Sequence, residues 1–418
     1  MASSYQYSGG VLHGERVPLD RVAARFGTPA YVYSRAAIER KFRRFDQAFG
    51  RYPHLVCYAV KACSNLSILR LLAKLGAGFD IVSGGELYRV LKAGGDPARI
   101  VFSGVGKTAG EIDAALRAGI LKFNVESEGE IDLLAARASR LKKTASVALR
   151  VNPDVAAETH PYIATGMRQH KFGLDMETAE RLYLRLHRES KRFASLRVAG
   201  VSCHIGSQIL DLAPFLEALD RLLALSQRLA AAGLSMRYLD IGGGLGIPYQ
   251  AGDAEPDPAS YVRQVVTKVR PTGLTVMMEP GRSIVGEAGL LLTRVINCKT
   301  NGDKHFVIVD AAMNDLIRPA LYGAHHEILA VKKAKGKGLV ADVVGAVCES
   351  GDFLARDRQL PPVKPNDLLV IATTGAYGSV QGSNYNSRCK PPEVLLEGAR
   401  MRLIRRRETV QDLVRNET

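Results

Sequence analysis

Between Leu55 and Val285 the chain repeats one beat: a short apolar run ending in polar residues or glycine, then a stretch with apolar positions at helical spacing. The runs are Leu55–Lys61, Gly78–Ser83, Arg99–Ser103, Lys122–Glu126, Ser146–Asn152, Val198–His204, Arg237–Gly242 and Leu274–Glu279, eight in all. Helical patterns over Leu66–Leu75, Glu86–Ala93, Ala109–Ala118, Glu128–Leu141, Pro214–Ala232 and Pro258–Val269 lie between most of them. Alternating strands and helices predict parallel β/α architecture. Eight units in roughly 230 residues fit a closed (β/α)8 TIM barrel better than an open sheet. A dinucleotide-binding sheet would carry GxGxxG after its first strand, where this chain has Tyr58-Ala-Val-Lys-Ala62.

After Val285 the texture changes. Leu290–Asn297, His305–Asp310, Leu339–Val347 and Asp367–Ala372 are rich in Val, Ile and Leu and are separated by Gly, Pro, Asn and Asp clusters. That pattern predicts an antiparallel β domain. The opening segment ends in the strand-like Ala30-Tyr-Val-Tyr33 and is expected to join it. The expected organisation is residues 1–34 with the β domain, 35–284 as the α/β barrel, and 285–418 as the C-terminal β domain.

Composition narrows the function classes. Of 418 residues 46% are hydrophobic and 24% charged, which suits a globular fold with a sizeable core. The net charge of +15 invites a nucleic-acid reading, but Lys and Arg are scattered and form no basic-aromatic stripe. No nucleic-acid partner is expected, and carboxylates or phosphates are the favoured ligands. The densest run, Arg402, Arg405, Arg406 and Arg407, is expected on a solvated surface. The six cysteines show no CxxC pair, so neither a disulfide framework nor a metal site is expected, and most should be small buried hydrophobes. The first ten residues lack an apolar signal core and no apolar run is long enough to span a bilayer. The expected location is the cytoplasm.

In a barrel of this kind the chemistry sits at the C-terminal ends of the strands. Those ends carry Lys61, Asp80, Ser83, Asn152, His204, Gly242–Gly244 and Glu279–Arg282. Lys61 would point into the barrel mouth, where partial burial lowers an amine's pKa and favours Schiff-base chemistry. A lysine that merely snorkels to the rim is the plainer alternative. Asp240-Ile-Gly-Gly-Gly-Leu-Gly246 could cradle a phosphate with backbone N–H groups, or could be a tight turn. Glu279 and Arg282 could form a structural ion pair. Alternatively Glu279 holds a pyridine nitrogen in its protonated form and Arg282 grips an anion. His204 could stack on a flat ring, with Ser207 on a phosphate oxygen; a lone histidine is also often structural. An amine, a phosphate cradle, a ring platform and an acid for a ring nitrogen are together what pyridoxal 5'-phosphate requires.

These residues carry a resemblance. The stretches Tyr58-Ala-Val-Lys-Ala62, His204-Ile-Gly-Ser-Gln208, Gly242-Gly-Gly244, Glu279-Pro-Gly-Arg282, Met313-Asn-Asp-Leu-Ile-Arg-Pro-Ala-Leu-Tyr322, Cys348-Glu-Ser-Gly-Asp352 and Gly375-Ala-Tyr-Gly378 run in order over most of the chain. With them the sequence resembles the fold type III pyridoxal-phosphate enzymes, with alanine-racemase-like barrels, and within these the diaminopimelate decarboxylases. The resemblance implies decarboxylation of meso-2,6-diaminopimelate to L-lysine and carbon dioxide. It implies that Lys61 carries the cofactor as a Schiff base, and that Asp80, His204, Ser207, Gly243, Gly244, Glu279, Pro280, Gly281, Arg282 and Tyr377 bind it. It further implies a homodimer with shared active sites, in which Cys348 is the proton donor and reaches the site from the other subunit, as does Glu349. Arg282, Arg318, Tyr322, Glu349 and Tyr377 would bind the amino-acid substrate. Chemically, decarboxylation leaves a carbanion that a tuned thiol can protonate. A distal carboxylate and ammonium need a cation and an anion, the charges of Arg318 and Glu349.

Two departures stand out. The family commonly has Asn where this chain has Cys63, and its usual Arg-Pro-Arg-Pro appears as Arg388-Cys-Lys-Pro391. Rival readings are decarboxylation of ornithine, arginine or carboxynorspermidine, amino-acid racemisation, or cofactor carriage without turnover. Arg318 is unwelcome beside a substrate ending in a bare amine. Racemases of this fold place an arginine at the pyridine nitrogen, against Glu279 here. Carrier relatives usually lack the β domain.

Overall fold

The computed structural model describes residues 5–155, 171–250 and 252–418. It separates into two compact units: 42–247 with 254–281, and 1–41 with 248–253 and 282–418.

The first unit is a closed parallel barrel. Its strands are, in order, His54–Ala59, Gly78–Ile81, Ile100–Phe102, Lys122–Val125, Ala145–Asn152, Leu196–Ser202, Tyr238–Asp240 and Thr275–Met278. Each pairs in parallel with the next, and the eighth pairs with the first through Met277 and Leu55. The expected eight strands and their closure are therefore present. The first ends two residues earlier than the sequence suggested: Val60–Ala62 is a 3-10 turn, and Lys61 rides on it.

Local sequence explains the helices. Ala109–Ala118 starts at a capping box, where the Thr108 hydroxyl accepts from the Glu111 N–H and Glu111 answers the Thr108 N–H. Such a cap contributes about 1 kcal/mol. Gly119, in the left-handed conformation, ends the helix, and Ile112, Ala115 and Leu116 form its buried face. Two residues singled out at strand ends bond backbone N–H groups close by in the chain. The Ser83 hydroxyl caps helix Gly84–Lys92, and Asn152 Oδ1 accepts from the Asp154 N–H at 3.0 Å. Helices Arg35–Ala48 and Met176–Arg188 were not among the expected ones.

Inside the barrel one layer is apolar, with Leu55, Cys57, Val101 and Met277 in contact. Farther along the strands the residues are charged. Residues two apart on a strand share a face, so Lys122 and Asn124 point the same way. They meet Asp240 and Glu279, as described below.

In the second unit, strand Gly289–Asn301 is the spine of a nine-stranded sheet. It pairs antiparallel with Ala30–Ser34, Lys304–Val309 and Leu368–Ile371. The sheet is antiparallel except that Lys304–Val309 runs parallel to Leu339–Val344, and Ala30–Ser34 parallel to Glu393–Glu397. Val32, Leu290, Leu292, Val370, Val394 and Leu396 are fully buried in its core. A separate three-stranded sheet is built from Tyr5–Ser8, Val11–Gly14 and Val17–Pro18.

Two surface expectations are corrected. Arg407 is half-buried, donating to the carbonyls of Pro29 and Phe26 that lie beside it, and Arg405 pairs with the buried Glu393 at 2.8 Å. Of the six cysteines, 57, 63 and 203 are buried, but Cys298 and Cys348 are exposed.

Candidate active site

At the barrel's C-terminal end, the Lys61 amine donates to Asp80 Oδ2 at 3.0 Å. Asp80 is fully buried and the lysine side chain is 35% exposed, so the amine is held at a boundary rather than floating over the rim. Asp80 Oδ1 is also buried, with no hydrogen-bond partner among the described residues. A buried carboxylate oxygen without a donor carries a large desolvation cost, so the site is built to receive one.

The charged layer beneath is a chain of bonds linking residues on or at the ends of four strands. Lys122 Nζ donates to Asp240 Oδ2 at 2.8 Å and also to Asn124 Oδ1. Asn124 Nδ2 lies 3.1 Å from Ser103 Oγ, 3.3 Å from Asp240 Oδ2 and 3.2 Å from Glu279 Oε1. Burial works to raise the Asp240 pKa, but Lys122 and the Gly242 N–H outweigh it and hold that carboxyl below its ordinary range. Glu279 goes the other way. Burial first, then the facing Asp240 and Asp80, push it well above the ordinary carboxylate value. Like charges this close do not both ionise. Asp240 keeps the charge opposite Lys122, and Glu279 keeps a proton.

The glycine turn sits on this layer. Gly242 N–H donates to Asp240 Oδ1 at 3.1 Å. A Cβ on Gly243 would lie 2.1 Å from the Glu279 carbonyl oxygen, and one on Gly244 (φ +106°) 2.3 Å from the Gly206 oxygen. Glycine is thus forced by backbone crowding between the sixth and eighth strands, whatever else the turn binds. Gly243 N–H donates to His204 Nδ1 at 3.3 Å. An Nδ1 that accepts leaves the ring proton on Nε2. Burial, then Arg150 and Lys61, hold the His204 pKa well below its usual value, so the imidazole is a neutral plate. Ser207 is partly exposed on the following turn, and Gly281 packs its backbone within 2.9 Å, at the Cβ position, of the Ala62 methyl beside Lys61. Cys63, the departure from the family pattern, is buried, and its carbonyl accepts from Tyr58 OH at 3.0 Å.

In the second unit Arg282 and Arg318 are both buried, 6% exposed each. Tyr249, a residue the sequence reading passed over, lies between them. Its phenol oxygen accepts from Arg282 Nη1 at 2.7 Å and from Arg318 Nη1 at 2.8 Å. The Tyr377 ring faces the Arg282 guanidinium at 4.8 Å. Tyr377 has φ +56°, a conformation rarely taken by an aromatic residue, and Gly375 and Gly378 on either side admit no Cβ. Tyr322 ends the short helix Arg318–Tyr322 and accepts from Gln381 at 3.3 Å.

Cys348 and Glu349 are exposed, on a turn that Asp352 staples: its carboxylate accepts from the N–H groups of Val347 and Met313, both at 2.7 Å. Asn386 Oδ1 holds the Cys348 N–H at 2.8 Å. Among the described residues no cluster of His, Cys, Asp and Glu could hold a metal ion, and no helix is long and apolar enough to cross a membrane.

The donor set therefore fits pyridoxal phosphate: an amine beside a carboxylate with an open acceptor, a neutral ring plate, a crowded glycine turn and a protonated acid. The comparisons with known proteins agree. Residues 35–286 match the family described as pyridoxal-dependent decarboxylase, pyridoxal binding domain. The chain is 52% identical over 416 residues to a diaminopimelate decarboxylase of Pseudomonas aeruginosa, covering 99% of each. The fold superposes on the Helicobacter pylori diaminopimelate decarboxylase complexed with L-lysine (TM-score 0.91, 43% identity, 96% and 99% of the two chains). It also superposes on the M. jannaschii diaminopimelate decarboxylase in complex with L-lysine (TM-score 0.93, 38% identity, 100% and 98%). With likeness running the length of the chain, this protein belongs to the pyridoxal-dependent decarboxylases and, within them, to the diaminopimelate decarboxylase family.

Proposed function

We propose that this chain decarboxylates meso-2,6-diaminopimelate to L-lysine and carbon dioxide, with pyridoxal 5'-phosphate on Lys61. The observation that carries the reading is the barrel end that brings together the Lys61–Asp80 pair and the buried Glu279, whose Oε1 lies 3.2 Å from Asn124 Nδ2. Relatives crystallised with L-lysine support the substrate class. Pyridoxal phosphate supplies an aldehyde for an amine to condense with and a ring that accepts the electron pair left as carbon dioxide departs. Every other task falls to the chain.

Asp80 orients the Lys61 amine and keeps a buried negative charge beside it. Glu279, raised toward its protonated form in the free chain, would bring that proton to the ring nitrogen and keep it there, and Asn124 fixes Oε1. His204, neutral and flat, would cover one ring face, with Ser207, Gly243 and Gly244 around the phosphate. Pro280 and Gly281 set the close backbone there, and Tyr377 presents its ring from a strained turn. Arg282, Arg318 and Tyr322 take the distal carboxylate and Glu349 the distal ammonium. The Cys348 thiol returns a proton to the carbon that lost its carboxylate.

Cys348 and Glu349 stand exposed on a stapled turn, which suits a homodimer in which each chain sends them to its partner's site. Six free cysteines fit a cytoplasmic location. The direct test supplies purified protein with meso-diaminopimelate and measures carbon dioxide and L-lysine. Equimolar formation is expected, and turnover of ornithine or arginine in preference would defeat the reading. Shared sites are tested by mixing the inactive Lys61→Ala and Cys348→Ala variants. Random reassortment should restore about a quarter of the wild-type activity, because each mixed dimer has one intact site. No recovery would rule out sharing.

A further inference from the structure

We infer that Tyr249 is a positioning residue: its phenol oxygen clamps Arg282 and Arg318 into one carboxylate-recognising pair, with His326 bracing Arg318. The inference rests on the proposed role of the two arginines and adds what holds them.

Two buried guanidiniums repel one another and would splay apart unless something negative or strongly accepting lay between them. Tyr249 oxygen supplies that, taking one N–H from each at 2.7 Å and 2.8 Å. Both lone pairs of the oxygen are engaged. Burial acts to raise the phenol's pKa, but the two guanidiniums and their hydrogen bonds outweigh it and draw it below the ordinary tyrosine value. The ring serves as well as the oxygen: the Arg318 guanidinium carbon lies 4.7 Å from its centroid and that of Arg282 5.8 Å.

His326 completes the clamp. It is fully buried, and its Nδ1 lies 2.9 Å from the Ala372 carbonyl oxygen, so Nδ1 carries the proton and donates. Its Nε2 is then an acceptor, 3.4 Å from Arg318 Nη1. Burial, then Arg318, hold the His326 pKa at about 3, so this acceptor is kept at any working pH. Its ring meets Tyr249 edge-on at 5.2 Å.

The consequence lies in which donors remain. Tyr249 and His326 both bond the same nitrogen, Nη1 of Arg318. Among the described residues Arg318 makes no ion pair, and its Nε–Nη2 edge meets no protein acceptor. That edge is the fork that grips a carboxylate with two parallel bonds. The clamp thus spends one nitrogen to aim the other two at a ligand.

L-lysine retains the distal carboxylate of the substrate, whereas cadaverine has the same chain and two amines without it. The test measures competitive inhibition of the holoenzyme by each, together with KM and kcat for meso-diaminopimelate. In Tyr249→Phe, KM and the L-lysine inhibition constant should each rise about tenfold or more. The cadaverine constant and kcat should stay within about threefold. An unchanged L-lysine-to-cadaverine ratio in Tyr249→Phe, with wild type preferring L-lysine, overturns the clamp and leaves the arginines standing. A wild-type enzyme that holds cadaverine as tightly as L-lysine overturns the arginine reading and the clamp together. If Tyr249→Phe does not fold, Tyr249→Gln and Tyr249→Met replace it. The first keeps an acceptor oxygen and should retain more of the L-lysine preference; the reverse order overturns the clamp.

Discussion

Replacing Lys122 with methionine should unfasten the barrel's charged layer, and the size of the effect follows from the structure. Lys122 and Asp240 are both fully buried, 2.8 Å apart. At an effective dielectric of about 20 their attraction is about 6 kcal/mol, part of which offsets the cost of burying the amine. Breaking such a pair by removing one partner costs about 3–5 kcal/mol. Asp240 has one escape, to bind a proton beside the already protonated Glu279. From an ordinary carboxyl value near 3.9, taking that proton at pH 7 costs about 4 kcal/mol, so both routes give the same answer. Because two units need not unfold together, the measurement should be local: hydrogen exchange at the amides of Lys122–Val125 and Tyr238–Asp240. Their protection should fall by about three decades, up to the limit set by global unfolding. In the variant the Asp240 pKa is raised, whereas in wild type it is held below its ordinary value, so the deficit relative to wild type should be smallest in acid and grow as pH rises through the variant's folded value. Adding Asp240→Asn, which keeps the acceptor for Gly242, should restore most of the loss. A deficit under about 1 kcal/mol, or a double variant no better than the single, would refute the account.

Lys61→Ala should abolish turnover and the visible absorbance of lysine-bound cofactor; an unchanged spectrum would remove Lys61 as the anchor. Cys348→Ala should keep the cofactor spectrum while turnover falls about 10²-fold or more, and an unaltered kcat would take the thiol out of the mechanism. Arg318→Ala should raise KM for diaminopimelate about 30-fold or more, from a loss of about 2 kcal/mol upward, and far less for an analogue without the distal carboxylate. Glu279 has a raised pKa, so the cofactor-free barrel is favoured below about pH 4.3 and loses stability as pH rises from there toward the folded value. Thermal melts of Glu279→Gln across that range should lack this decline, and an identical pH profile in both proteins would count against a protonated Glu279.

Much of the protein could be read along the chain. The alternation of apolar runs and helical faces dictated eight β/α units, because a strand buried on both sides must be apolar throughout and its covering helix must be amphipathic. The residues of the barrel mouth, Lys61, Asp80, His204 and Glu279, were legible because a strand's C-terminal end is a place that can be counted to. The same rule also picked out Ser83, whose hydroxyl caps the helix that follows, and Asn152, whose side chain accepts from the Asp154 N–H.

What the chain could not show was who meets whom across strands. Lys122 looked like the polar start of an ordinary apolar run, yet it is fully buried against Asp240, 118 residues away. Tyr249 follows the glycine turn with no local sign of purpose, and only folding sets it between Arg282 and Arg318. The sequence by itself determined the period of the elements and the chemistry offered at each strand end, because these depend on near neighbours. Tertiary structure alone decided that Glu279 keeps a proton while Asp240 does not, and that two buried arginines share one oxygen. Charge states depend on distances between residues far apart in the chain, and those distances exist only once the barrel has closed and the sheet has formed.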